Sequence, residues 1–154
     1  MLGFTAIEVV VGVSIVGLIL VYTTYAITEF INSARDVTEK TEALYLAEDG
    51  LELVRYMRDN NWATISSIPV NQTRYIEVTN TSVTVTTIPE VIDGFTRSFT
   101  LQNVYRESGT ADIVASTTGG SVADTDSKYV TMTVTWGTPV KNVSLTTIIA
   151  DIAP

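Results

Sequence analysis

A stretch without any charged residue constrains this chain more than any other feature of its sequence. From Val9 to Thr28 there is no Asp, Glu, Lys or Arg, and most positions are Val, Ile, Leu or Gly. About 20 such residues in a helix cross the hydrocarbon core of a bilayer. Glu8 stands directly before the stretch, and a carboxylate there is costly in an apolar environment unless it finds a partner. Glu8 is therefore a candidate functional residue.

The helical pattern continues beyond this stretch. Apolar residues recur at steps of three and four, which is typical of an amphipathic helix, and no proline occurs before Pro69. One helix is predicted from about Phe4 to about Asp59, with an apolar stripe in its second half that we expect to pack on the rest of the chain. The stripe consists of Ile27, Phe30, Ile31, Ala34, Val37, Leu44, Ala47, Leu51, Val54 and Met57. Between its members, the adjacent carboxylates Glu48 and Asp49 are interpreted as solvated groups on the outer surface of the helix.

After Pro69 the pattern changes to the alternation that is typical of strands. A hairpin is predicted across residues 74–88, a further strand at 97–105, and the clearest strand at 129–136, with threonine on one face and Val, Met and Trp on the other. A last strand follows from Val140 to Ile152. The polar stretch between Glu107 and Ser127 is expected to be a loop with a short strand at Ile113 and Val114. The predicted fold class is α+β, with the long helix packed on an antiparallel sheet of four or five strands.

The composition excludes several kinds of function. The chain of 154 residues contains no cysteine and no histidine, so disulfides, zinc sites of the usual type, thiol nucleophiles and imidazole catalysis are absent. The net charge is −8 and the nine basic residues are scattered. Direct binding to nucleic acid is therefore not expected, since it requires a basic surface. Asp124 and Asp126, with Glu107 and Asp112, could ligate calcium, but a solvated acidic loop is favoured, and no metal, cofactor or catalytic residue is predicted.

Gly3-Phe4-Thr5-Ala6-Ile7-Glu8, followed at once by the apolar helix, resembles the cleavage and methylation motif of the type IV pilin family. The order of long helix, loop and antiparallel sheet is also similar to that of this family. The resemblance implies processing by a prepilin peptidase after Gly3, which leaves Phe4 as the N-methylated first residue. It also implies insertion in the inner-membrane lipid, transfer by the pilus assembly machinery and self-association into an extracellular filament, with Glu8 neutralised by the N-terminal amine of a neighbouring subunit.

This resemblance divides the chain into residues 1–3 as a leader remnant, 4–28 as the membrane anchor and filament core, and 29–154 as the globular domain. The last part comprises helix 29–60, loop 61–72 and sheet 73–154. Two other functions share these features and stay open. One is a pseudopilin or minor pilin of a secretion or uptake system, and the other is a membrane-anchored surface binding module that does not polymerise.

Two departures from the family pattern affect these expectations. Only Met1 and Leu2 precede Gly3, without the basic residues that are typical of the family's leader. Either the leader is truncated in this sequence, or processing differs and residues 1–3 stay attached in the filament. The proline that members often carry within the apolar helix and the disulfide-closed loop near the C-terminus are both absent. Gly12 and Gly17 are then the expected positions for local melting of the helix, or for close approach of helices.

Overall fold

The computed structural model describes residues 5–80 and 82–152, and their order is a long helix followed by strands. Helix α1 spans Ala6–Asn60 and the short helix α2 spans Trp62–Ser66. The strands are β1 (Tyr75–Val78), β2 (Val83–Thr86), β3 (Glu90–Ile92), β4 (Phe95–Glu107), β5 (Ile113–Val114), β6 (Ser121–Trp136) and β7 (Lys141–Ala150). The predicted α+β class is confirmed, and so is the single helix that ends near Asp59.

The main sheet has five antiparallel strands in the order β3-β4-β6-β7, with β5 beside β4. The predicted hairpin forms from β1 and β2, but it makes a separate two-stranded sheet. An isolated bridge between Arg74 and Phe99 connects the segment before β1 to β4. Within the expected loop 61–72, Asn61 accepts a hydrogen bond from the Ala63 N–H at 2.9 Å and caps α2.

The polar stretch between Glu107 and Ser127 differs from the predicted loop in its last part, from Ser121 onward. Strand β5 lies where it was predicted, but β6 begins at Ser121, eight residues before the predicted start at Tyr129. Its first residues pair with the end of β4, from Val104 opposite Asp124 to Glu107 opposite Ser121. Backbone pairing of this kind needs no apolar side chains, which explains why alternation did not reveal it. A bulge between Asn103 and Val104 separates this part of the ladder from the rest.

The chain divides into two compact units, Met1–Lys40 and Thr41–Pro154. In the second unit, one face of the sheet packs against the last turns of α1, and the core includes Phe99, Leu101, Val130, Met132 and Val134. From the helix, the buried residues are Ala43, Ala47, Gly50, Leu51, Val54 and Met57. Their spacing of three and four confirms the predicted stripe from Ala47 onward.

The earlier part of the predicted stripe differs from the expectation. Ile27, Phe30, Ile31 and Val37 are between 46% and 75% exposed, so the chain itself does not cover them. The predicted boundary at residue 29 thus lies well before Ala43, where burial of α1 begins.

A buried arginine joins the helix to the sheet within the second unit. Arg97 lies on the inner face of β4 with only 3% of its side chain exposed, and its Nε and Nη2 donate to the two carboxylate oxygens of Glu90 on β3 at 2.8 Å each. Its Nη1 donates to Asp49 of α1 at 2.5 Å and to the Leu46 carbonyl at 3.3 Å. Asp49 is solvated as predicted, with 63% of its side chain exposed, but it is also a partner of the core arginine, which the sequence did not predict.

The arginine stays charged in this position. Burial alone would lower the pKa of the Arg97 guanidinium, but the hydrogen bonds and negative charges of Glu90 and Asp49 outweigh burial and raise that pKa above its ordinary value. The close approach also requires Gly50, because a Cβ there would lie 2.8 Å from Met132 Cε and 2.9 Å from Arg97 Cδ.

Candidate functional site: the apolar half-helix and its first turn

The first unit presents an apolar helical surface that nothing within it covers. In its most apolar window α1 has a mean hydropathy of 2.3 and no buried residue. Ile7, Val13, Val21, Tyr22 and Tyr25 are each more than 65% exposed. Among the described residues, α1 is the one helix long and apolar enough to cross a membrane. This surface is compatible with membrane anchoring of the chain.

The polar side chains of the charge-free stretch are arranged to suit an apolar solvent. Each serine or threonine hydroxyl donates to the carbonyl four residues earlier, at distances between 2.7 and 3.0 Å. The four donors are Ser14, Thr23, Thr24 and Thr28. A hydroxyl that is satisfied within its own helix avoids most of the free-energy cost of leaving water. The stretch can therefore lie in lipid or among other helices with its serine and threonine hydroxyls paired.

Glu8 lies in the first turn of α1, where its carboxylate caps the helix. Its Oε2 accepts hydrogen bonds from the Thr5 N–H and from the Thr5 hydroxyl, both at 2.8 Å. A glutamate at the third helical position that bonds back to the N-cap residue is one half of a capping box. The carboxylate also lies at the positive end of the helix dipole. Glu8 thus has a local partner in the single chain.

Thr5 is a residue that the sequence reasoning missed. The pattern Thr5-Ala6-Ile7-Glu8 matches Ser/Thr-x-x-Glu before an apolar run, which is a signal for the start of a helix and could have identified it. The predicted processing residues Gly3 and Phe4 lie outside the described residues. The predicted site residues Glu8, Gly12 and Gly17 are described, and all three lie in α1.

Gly12 and Gly17 lie inside α1, which continues through both positions. A Cβ at either glycine would meet nothing within 4 Å in the single chain. Their lack of side chains is therefore not required by packing within the chain. It leaves two narrow places on the helix surface where another helix can approach closely.

Asp124, one of the candidate calcium ligands, pairs with an arginine instead. Asp124 Oδ2 accepts from Arg106 Nε at 2.6 Å between β6 and β4, and its side chain is only 12% exposed. The hydrogen bond from Arg106 holds the pKa of Asp124 below its usual value. Among the described residues, no three acidic side chains come together in a way that could hold a metal ion.

Comparison of the chain with protein-family models, with curated proteins and with solved structures gave no match.

Proposed function

We propose that this chain is a structural subunit of a type IV pilus-like extracellular filament and has no catalytic activity of its own. The observation that carries the proposal is the pattern from Gly3 to Glu8 directly before a half-helix that is apolar all round and has no buried residue in its most apolar window. An anchor alone requires the apolar helix but not this pattern. The pattern is what distinguishes a pilin-like subunit from other single-span proteins.

The apolar half-helix would have two environments in turn. Before assembly it lies in the plasma membrane, where lipid covers side chains such as Val13 and Tyr22. After assembly the same side chains contact the helices of identical subunits. Full burial of one such side chain is worth about 1.5–3 kcal/mol relative to exposure to water. Exposure of the isolated half-helix to water, inside or outside the cell, is therefore strongly unfavourable. Exchange of lipid for other helices keeps every side chain in an apolar medium.

Glu8 would set the register between subunits. Processing by a prepilin peptidase after Gly3 creates an amine at Phe4, and the amine of one subunit pairs with the Glu8 carboxylate of its neighbour. A charge left unpaired in an apolar bundle is strongly unfavourable. Registers that leave Glu8 without a partner are therefore disfavoured, and the repeated head-to-tail contact generates an open filament.

The second candidate is a membrane-anchored surface binding module that does not polymerise. The observation that favours it is the contact of Glu8 with Thr5, because a carboxylate with partners in its own chain needs a neighbouring subunit less. A pseudopilin or minor pilin would share the features of a major pilin subunit. The number of copies of the chain per unit length of filament distinguishes a minor from a major subunit.

Imaging of the cell surface tests the proposal. Material sheared from cells is examined by negative-stain electron microscopy with an antibody against the globular domain, and the membrane fraction is probed in parallel. Labelled filaments a few nanometres wide support the pilin-like role. Labelled chain found only in membranes, as a monomer, supports the binding module and contradicts the proposal.

An intact mass of the subunit from such filaments tests the processing step. The expected mass is that of a chain that begins at Phe4 and carries one added methyl group. A mass that includes residues 1–3 would show that the amine facing Glu8 is not that of Phe4.

A further inference from the structure

A groove in the second unit lies where the partner strands of β4 are interrupted. Along one edge of β4, Arg74 exchanges backbone hydrogen bonds with Phe99, and the Asn71 N–H donates to the Leu101 carbonyl at 2.8 Å. Pairing on this edge resumes at Tyr105, which lies opposite Val114 of β5. The groove between these two contacts has a volume of about 650 Å³, within the range of small-molecule sites. We call it the β4–β5 groove.

The side chains that line the β4–β5 groove combine rings with carboxamides. Two tyrosines, three amide side chains and a serine contribute to it: Tyr105, Tyr129, Asn71, Gln102, Asn103 and Ser116. Gln102 and Tyr129 are direct cross-strand partners on the outer face of the sheet. No lining residue carries a charge, although the chain as a whole has a net charge of −8.

The side chain of one amide residue and the backbone of another are held by hydrogen bonds. Asn103 Oδ1 accepts a hydrogen bond from Lys128 Nζ at 2.7 Å, so the oxygen of this amide is engaged and its NH2 group is the part that can donate to a ligand. Asn71 adopts a left-handed backbone conformation with φ of 58°, and its N–H is bonded to β4. Nearby on β4, the Arg106 guanidinium already pairs with Asp124 and the Ala111 carbonyl.

We propose that the β4–β5 groove binds a neutral carbohydrate. Carboxamides offer a donor and an acceptor side by side, which matches adjacent sugar hydroxyls. Tyrosine rings give flat apolar faces for the C–H surface of a sugar and hydroxyls for its edge. An anion would find no cation available in the lining, and a cation would find no carboxylate. The inference does not rest on filament assembly, because every lining residue belongs to the second unit.

The test uses the full chain in micelles of a detergent without a sugar headgroup, since an alkyl maltoside would compete. The labelled protein is applied to an array of neutral oligosaccharides, including N-acetyllactosamine, maltose and cellobiose series, beside sialylated and sulfated glycans. The strongest neutral glycan is then titrated by NMR while the side-chain amide signals of Asn71, Gln102 and Asn103 are followed. We expect saturable binding to neutral glycans, with shifts of these amide signals.

Two variants and one control make the result specific. Tyr129→Ala removes a ring, and Ser116→Trp fills the groove from an exposed position without removing a core contact. Each is expected to lower the affinity at least tenfold, while Tyr45→Ala, which changes an exposed tyrosine outside the groove, leaves it unchanged. Thermal unfolding shows whether each variant is folded. If Tyr129→Ala does not fold, the affinity of Ser116→Trp alone tests the proposal.

Three results would overturn the proposal. These are the absence of binding to any neutral glycan at millimolar concentration, equal binding by Ser116→Trp, and a clear preference for acidic glycans. Occupation of the groove by an added peptide strand without glycan binding would also overturn it, and would assign the groove to strand addition along β4.

Discussion

Glu8 has two alternative partners, and each belongs to a different state of the molecule. In the single chain, Thr5 donates two hydrogen bonds to one of its carboxylate oxygens. In the proposed filament, the carboxylate faces the amine of another subunit. The hydrogen bonds from Thr5 reduce the free-energy cost of holding Glu8 in lipid before assembly. Once water is excluded, a positively charged amine stabilises the carboxylate more than a hydroxyl does.

Variants of these two residues separate the cap from the assembly contact. We expect Glu8→Ala to leave the chain inserted and folded but to reduce filament yield sharply, because the neighbouring amine loses its partner. Thr5→Val removes the hydroxyl bond only and should leave the yield near that of the wild type. The measurement is the ratio of sheared to cell-associated chain on immunoblots. Normal piliation of Glu8→Ala would contradict the assembly role, and equal loss in both variants would assign Glu8 to helix capping.

The ion pair of Asp124 with Arg106 should make the stability of the sheet depend on pH. The pKa of Asp124 is held below the usual value by Arg106, so its contribution to stability is complete above the unfolded pKa of about 3.9. It is lost as the pH falls through the folded pKa, which lies lower. Thermal unfolding between about pH 2 and about pH 6 should show a smaller loss of stability on acidification for Asp124→Asn than for the wild type. Asp93→Asn, at an exposed position, is the matched control, and identical profiles for the wild type and Asp124→Asn would refute the prediction.

At the scale of the elements, Arg97 fixes how the end of α1 packs on the sheet. The guanidinium uses β3 and α1 as partners at once, and the two partners differ in exposure. The side chain of Glu90 is 16% exposed and that of Asp49 is 63% exposed. An ion pair is worth little where water screens it, whereas loss of one partner from a buried pair leaves an uncompensated charge.

Removal of each partner in turn should therefore give unequal results. We expect Glu90→Ala to lower the free energy of unfolding by about 3 kcal/mol, as for a broken buried pair. Asp49→Ala should lower it by about 1 kcal/mol or less, as for an exposed pair. Urea unfolding of the detergent-solubilised chain, followed by tryptophan fluorescence, measures both. Equal losses would show that Asp49 and Glu90 hold Arg97 to the same degree.

Substitution of Gly50 tests the close approach of α1 to the sheet, and substitution of Gly17 is its control. Alanine at Gly50 would meet Met132 and Arg97 below 3 Å. Met132 can move its flexible end, but Arg97 is held by its ion pairs, so we expect a net destabilisation of about 1 kcal/mol after the gain in helix propensity. Gly17→Ala meets nothing within 4 Å and should raise helix stability. Thermal unfolding compares the two variants, and a stabilised Gly50→Ala would contradict the close packing of Gly50 against Met132 and Arg97.

The sequence predicts elements whose side-chain period is strong and misses contacts that join distant positions. Met132 and Trp136 alternate with threonines, so the end of β6 was predictable, whereas Ser121 and Asp124 are held by backbone pairing that carries no apolar signal. Arg97 and Asp49 are 48 residues apart, and no local pattern relates them. At the candidate site, Glu8 stands out because a charge borders an apolar run, while the Thr5 cap was predictable from its spacing and was overlooked.

At the scale of the whole molecule, burial along α1 changes abruptly with position. The buried residues of the helix begin at Ala43, and the division of the chain into two units falls between Lys40 and Thr41. Phe30, Ile31 and Val37 precede this division and are exposed. They extend the uncovered apolar surface beyond the charge-free stretch, and in the proposed filament they would be further contacts between subunits.

Two truncated chains should reveal what this intermediate segment does. A chain of residues 41–154 keeps every buried residue of α1, so we expect it to fold as a monomer that remains soluble without detergent. A chain of residues 29–154 should have the same unfolding temperature but should self-associate, because it exposes Phe30, Ile31 and Val37 to water. Circular dichroism measures the unfolding temperature of each chain, and sedimentation velocity measures its self-association.

Phe30→Ser in the longer chain is the control for this comparison. Phe30 is 75% exposed, so its replacement should not change the unfolding temperature, but it removes the largest apolar group of the segment and should weaken association. If residues 41–154 fail to fold while 29–154 folds, residues 29–40 belong to the folded core after all, and the boundary at residue 29 is the correct one. If neither chain associates, the apolar residues between 29 and 40 do not drive contacts between subunits, and the helix contacts of the filament would be confined to the stretch before Glu29.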